Sequence, residues 1–333
     1  MKSISIFIFL LFSITAFSQQ GRNFSMWYHN NYQHNPAAVG TNDHNLKAFV
    51  NFRYQYFTVS KKPFQTLSAS METKLAESKR SKNHLGLGAS IINDMSGDGT
   101  YMVNDVNIPV AYHIYFDDYS SISLGVAPGI YQRSILRGNY TWESQWNGYE
   151  FNQGADPINL AGANAIRFDI GAGLMYKYES SATNKYYGGF SVRHISQPNI
   201  GFIGQDKLKM RFIGQFGMKH RFKLSNFGIS PNVLAVFQGP NHDIVYGSNF
   251  DFYFRDASTR TIFVTPTHFS VGIYHRYGEG IILNFQYYFQ GINIALAYDT
   301  NINSMIRTSK SVGAFELAFS YDIIFNKRGK FIY

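Results

Sequence analysis

Cysteine is absent from this chain of 333 residues. Disulfide frameworks, thiol nucleophiles and thiolate metal sites are excluded together. Charge is also scarce. Asp, Glu, Lys and Arg make up 15% of the residues, against about 25% in ordinary soluble domains, and so few charges make a poor water-facing surface. Trp (3) is rare beside Tyr (24) and Phe (30). Beyond the first residues there is no run of roughly 18 apolar residues, so a spanning helix is not predicted.

What is present begins with a leader. Lys2, the apolar stretch Ile4 to Phe12 and the small-x-small site Ala16-Phe17-Ser18 ahead of Gln19 predict a secretory signal peptide over residues 1–18. Its apolar core is too short to anchor as a spanning helix, and no Cys follows to carry a lipid. An exported chain that enters a membrane without such helices must do so as a closed barrel. The formal charge of +9 is scattered, with its densest group at Lys79, Arg80 and Lys82. That distribution fits a basic rim against anionic headgroups and predicts no nucleic-acid partner.

Strict alternation is the main structural signal. Ile122, Leu124, Val126 and Ile130 interleave with Ser123, Gly125, Ala127 and Gly129. The same pattern recurs in Ile281-Leu283-Phe285-Tyr287-Phe289 against Asn284 and Gln286, and again through Phe315-Leu317-Phe319-Tyr321. Successive strand side chains point to opposite faces, so each segment has one greasy and one small or polar face. A soluble sandwich would turn the greasy face inward, and a membrane barrel would turn it toward lipid. Turn residues divide residues 45–325 into about 14 strands, an even number as single-chain barrels require. These include Asn45–Val59, Tyr101–Phe116 and Leu208–Phe222, with Pro109 and Pro128 inside predicted strands despite their missing N–H.

The fold expected is thus all-β, a transmembrane antiparallel β-barrel. It would occupy residues 19–333 of the outer membrane, with an N-terminal periplasmic segment ahead of the first strand. The connections agree in part. Ile135–Ala163, Ser196–Lys207 and Thr300–Lys310 are long and fall on the outward side, while Asp117-Asp118 and Gly291 are short and inward. Arg255–Thr267 and Gly278-Glu279 run against that asymmetry.

The opening Phe24-Ser25-Met26-Trp27-Tyr28-His29-Asn30-Asn31-Tyr32-Gln33-His34-Asn35-Pro36-Ala37-Ala38-Val39-Gly40 resembles that of the PorP/SprF family, outer-membrane proteins of type IX secretion and gliding in the Bacteroidota. Asn35, Pro36, Ala37 and Gly40 carry the motif. The resemblance continues at Arg53 with Gln55, at Gly86-Leu87-Gly88, at Tyr298-Asp299 and at Phe315 to Tyr321. Tyr56 stands where a Trp is expected. Membership implies a barrel that secretes, binds or anchors surface proteins bearing a type IX C-terminal domain, beside other subunits of the machinery. From the residues alone, a diffusion channel or transporter for small solutes is the alternative.

Several constellations are weighed on their chemistry. Asp94, Ser96, Asp98 and Gly99, with Asp105 further on, approximate a calcium loop, but the flanks alternate as strands where that loop needs helices, and a tight turn explains them. His29, His34 and His44 match no zinc spacing and are read as anchors of the N-terminal segment. Ser191 with His194 lacks a nucleophile elbow, so no enzyme, no metal and no cofactor is predicted. The long connection carries Tyr140, Trp142, Trp146, Tyr149 and Phe151, residue types that dominate interfaces, and is the candidate partner surface. Arg167, Asp169, Lys177 and Glu316 take the lumen phase, and Arg167 with Asp169 is the pairing expected.

Overall fold

The computed structural model describes residues 24–42, 45–76, 81–97, 101–135, 143–152, 163–181, 184–223, 225–255, 267–303, 306–325 and 331–332. Its strands are β1 (Leu46–Gln55), β2 (Phe64–Leu75), β3 (His84–Ser96), β4 (Tyr101–Asn107), β5 (Val110–Tyr115), β6 (Ser120–Ile135), β7 (Asn164–Ser181) and β8 (Asn184–Arg193). They continue as β9 (Arg211–Arg221), β10 (Phe227–Gln238), β11 (Asn241–Arg255), β12 (Thr267–Arg276), β13 (Gly280–Phe289), β14 (Ile292–Asn301), β15 (Val312–Phe325) and a short β16 (Phe331–Ile332). Each wall strand pairs antiparallel with its neighbours, and β1 pairs with β15, which closes the ring.

The barrel has 14 staves. β4 and β5 are one stave, because Asn107 opposes Ser90 and Gly129 while Val110 opposes Leu87 and Val126, in unbroken register on both sides. The predicted strand Tyr101–Phe116 is interrupted only at Ile108-Pro109. Pro109 lacks an N–H, so the ladder there reduces to Gly88 N to Pro109 O and Ile108 N to Pro128 O. Pro128, the second proline in question, lies across from that gap inside an intact β6. β1 stops at Gln55, short of the predicted Val59, because Tyr56 turns the chain with a φ of 59°.

The greasy face points outward. Val50, Phe52, Leu124, Val126, Phe285, Leu317 and Phe319 are exposed, while their neighbours Asn51, Arg53, Ser123, Gln286 and Glu316 are buried. A soluble sandwich would show the reverse, so the exposed band is the lipid surface of a membrane barrel. Large aromatics mark its two edges. Phe116, Tyr119, Phe222 and Phe254 ring the end where β1 begins, and Phe57, Phe64, Phe237 and Tyr277 ring the other. These are the amphipathic belts expected at lipid–water boundaries.

Residues 136–163, 194–210 and 302–311 connect strands at the end opposite the start of β1. Long connections identify that end as extracellular. At the periplasmic end, Asp117 accepts the N–H groups of Tyr119 at 2.7 Å and Ser120 at 2.6 Å. Those bonds hold its carboxyl below the usual range and fix the turn between β5 and β6.

Candidate functional site

The lumen is occupied by the chain's own N-terminal segment. Sequence reading sets this stretch in the periplasm ahead of β1; the structure has Phe24–Gly40 winding through the barrel and leaving at the periplasmic end. It forms three short 3-10 turns, Trp27–His29, Asn31–Gln33 and Pro36–Ala38. The last begins on Asn35, whose side chain accepts the N–H of Ala37 at 3.0 Å, with Pro36 supplying a preset φ. A segment so rich in Trp, Tyr and apolar residues cannot stay in water without cost, and here Trp27, Tyr32 and Val39 are buried. Tyr28 stacks on the inward Tyr274 with ring centroids 5.2 Å apart.

Toward the extracellular end the segment is clamped by charge. The Glu316 carboxylate accepts the N–H of Ser25 at 2.6 Å and of Met26 at 3.1 Å. Arg53 pairs with both Glu316 and Asp299, the latter at 2.8 Å, and donates to the Ser25 hydroxyl at 2.6 Å. That hydroxyl in turn donates to Asp299 at 2.6 Å and accepts from Arg276 at 3.1 Å. Glu316 has no solvent exposure. Its charge is offset by one guanidinium and two main-chain N–H groups, the condition under which a buried ion is tolerated.

At the periplasmic end the same segment rests on glycines. Gly86, Gly125, Gly173 and Gly189 occupy the inward phase of β3, β6, β7 and β8. A Cβ on Gly125 would overlap the main chain of Pro36 and Ala37, and one on Gly173 or Gly189 would overlap the Asn35 amide. A Cβ on Gly86 would strike Val39, and Gly40, at φ 77°, would put its own 2.7 Å from the Gly86 Cα. The wall therefore has a recess shaped for Asn35-Pro36-Ala37 and Gly40. Side chains complete it: Ser123 donates to Ala37 O at 2.7 Å, Glu72 accepts the Gly40 N–H at 2.7 Å, and Asn35 donates to Leu174 O at 3.0 Å.

Between clamp and recess, and again at and just past the recess, the wall grips main chain. Lys47 donates to His29 O (2.8 Å), Arg193 to Gln33 O (2.8 Å), Ser191 to His34 O (2.7 Å) and Lys177 to Thr41 O (2.7 Å). His113 Nε2 lies 2.7 Å from Val39 O, and His84 Nε2 lies 3.0 Å from Gly40 O.

The candidate residues divide clearly. Asn35, Pro36, Ala37 and Gly40 come together in the recess, Glu316 forms the clamp, and Lys177 joins the segment while pairing with Glu179 at 2.9 Å. Arg167 and Asp169 share the inward phase but do not pair. Asp169 lies 2.7 Å from His194 Nδ1, and the exposed Arg167 donates to Asn199 O at 2.8 Å. Two side chains two positions apart on a strand diverge toward different neighbours, and cross-strand partners win. Trp146, Tyr149 and Phe151 are exposed on the long connection, which folds back through a bridge between Trp146 and Phe151. Tyr140 and Trp142 lie outside the described residues, as do His44, Asp98 and Gly99.

Other constellations are put to other uses. Asp94 accepts from Thr66, while Asp105 faces Arg193, so the two carboxylates serve separate neighbours. Ser191 donates to the plug segment and His194 turns to Asp169, so they form no dyad. Among the described residues, no group of three His, Asp or Glu side chains could hold a metal ion. Sequence reading passed over Ser25 and the glycines at 125, 173 and 189. Their signal was partly available: all three glycines fall on the inward phase of their strands, and Gly125 stands there among Ser121, Ser123 and Ala127.

Above the clamp, at the extracellular end, the lumen opens into a cavity of about 550 Å³. Phe24 and Arg53 form part of its floor, with Tyr101, Tyr131, Gln238 and Arg276 among its sides.

Comparison with known proteins accords with this architecture. The profile described as "Type IX secretion system membrane protein PorP/SprF" matches residues 16–321. The chain belongs to the PorP/SprF family. Within that family's match lie the Asn35-Pro36-Ala37 recess, the Glu316 clamp, the staves from β1 to β14 and β15 as far as Tyr321. A comparison with curated proteins finds no match. Solved structures similar in fold include the toluene transporter TbuX of Ralstonia pickettii, at 11% identity over 87% of this chain and 92% of that one, with a TM-score of 0.49. The toluene transporter TodX of P. putida follows at 8%, 88%, 93% and 0.47. A FadL homologue of Pseudomonas aeruginosa stands at 12%, 86%, 92% and 0.45.

Proposed function

We propose that this PorP/SprF barrel acts without catalysis, binding surface or secreted proteins at the extracellular mouth and holding them for secretion or anchoring. The cargo class is a protein with a type IX C-terminal domain, engaged beside other subunits of the machinery. Residues 1–18 act as the cleaved leader that delivers the chain. The observation that carries this reading is the filled lumen: Phe24–Gly40 takes up the barrel interior, and among the described residues the cavity of about 550 Å³ lies on the extracellular side. A solute channel needs a continuous path, whereas a docking protein needs an open, shaped mouth. The connection bearing Trp142, Trp146 and Tyr149 supplies large aromatic anchors at that mouth.

Affinity purification of the tagged barrel from outer membranes tests this. An exported protein with a type IX C-terminal domain is expected to travel with it, and to leave the cell surface when the barrel gene is deleted. Normal surface display in the deletion strain would end the proposal.

A further inference from the structure

The geometry points to the extracellular cavity as a binding site for an extended segment of a partner polypeptide, held through its main chain. This deepens the docking function proposed above and rests on it.

The inner wall already binds polypeptide in this way. Donors on the wall meet the carbonyls of His29, Gln33, His34, Ala37 and Thr41, and wall carboxylates accept the N–H groups of Ser25, Met26 and Gly40. The wall treats the connection after β8 similarly. Arg167 donates to Asn199 O, Arg133 to Ile200 O at 3.4 Å, and Gln238 to Lys209 O at 3.1 Å. The cavity lies between these two held segments, with Phe24 on one side and Ile200 and Leu208 on the other.

Its chemistry selects the ligand class. Arg53, Arg133 and Arg276 face it together with Asp94, Asp243 and Glu279. An anion would call for a field of one sign, and a hydrocarbon would call for an apolar lining. Every non-proline residue of a polypeptide presents one N–H and one C=O, which a lining of both signs suits. The volume of about 550 Å³ falls within the roughly 300–1,000 Å³ of ligand pockets, so it admits a segment and not a folded domain.

The test uses the full-length protein in cells. A photo-crosslinking p-benzoylphenylalanine is placed at Ser96 in the cavity, at Ile91 on the lipid face of the same strand, or at Trp146 on the long connection. Heat-modifiable migration confirms each barrel, and Gln55 serves as the cavity position should the Ser96 variant not fold. The expected result is an adduct at the cavity position, absent at Ile91, that maps to one short segment of an exported protein. Adducts only with lipid, only with residues of this chain upstream of Phe24, or none at all would overturn the inference. Partner adducts at Trp146 without one in the cavity would remove this site and leave the docking function standing. Their absence at both positions would remove both.

Discussion

Glu316 and Ser25 are 291 positions apart in the chain, yet the carboxylate of one accepts the main-chain N–H of the other at 2.6 Å. Closure of β15 onto β1 sets Glu316 opposite Arg53, and the start of the lumen segment ties itself to that pair. Barrel closure and lumen filling thus share one set of contacts.

Removing that carboxylate should be costly. Glu316→Ala leaves the Arg53 guanidinium with one carboxylate, Asp299, in place of two, and two main-chain N–H groups without their acceptor. Breaking a buried pair typically costs about 3–5 kcal/mol. The expected outcome is a matching loss in urea-unfolding stability in detergent micelles. A change below about 1 kcal/mol, the worth of an exposed pair, would show that the clamp contributes little.

The glycine recess makes a prediction about conductance. Gly125→Val places a branched side chain where the Pro36 and Ala37 backbone now runs, so the lumen segment must shift. In planar bilayers the native barrel is expected to pass little steady current and the variant measurably more. Gly214→Ala is the control, because nothing lies within 4 Å of its added Cβ. Equal currents from the native and Gly125→Val proteins would mean that Phe24–Gly40 does not obstruct the lumen.

Asn35→Ala removes an N-cap and a bond to Leu174 O. Loss of such a cap costs about 1 kcal/mol, which should loosen the segment without unfolding the wall. Limited proteolysis is expected to cut the variant between residues 24 and 45 faster than the native protein. Identical cleavage rates would contradict this.

The orientation of the wall is checked on one strand of β13. Phe285→Arg puts a charge on the lipid face at mid-strand, where the cost is about 2–4 kcal/mol. Arg at the fully exposed Tyr149 (94%) should leave folding unchanged. Should the two variants fold equally well in lipid vesicles, the outward face of β13 would not be meeting acyl chains.

Trp142→Ala with Trp146→Ala should reduce retention of surface cargo while the heat-modifiable band persists. Undiminished retention would take the long connection out of the docking function.

Much of this barrel was legible in the sequence because strand periodicity is local. Leu124 and Phe285 read as greasy-face residues, and Glu316 and Asp169 as inward ones, from two-residue alternation alone, and each lies on that side. Partners were not legible in the same way. Asp169 reads naturally with Arg167, two places away, but its contact is His194, just past the end of the neighbouring stave β8, and only strand pairing brings that residue near. The opening segment misled for a related reason. Its alternation is broken by turns, so nothing local says whether Trp27, Tyr32 and Val39 bury themselves against a partner, the periplasm or the chain's own wall.

By itself, then, the order of amino acids determined the number of staves and which face of each is oily, since these depend on composition and on a repeat of two. Folding in three dimensions decided that the oily faces surround the ring and that Phe24–Gly40 fills it. Both outcomes depend on contacts between residues hundreds of positions apart, which exist only once the last stave has met the first.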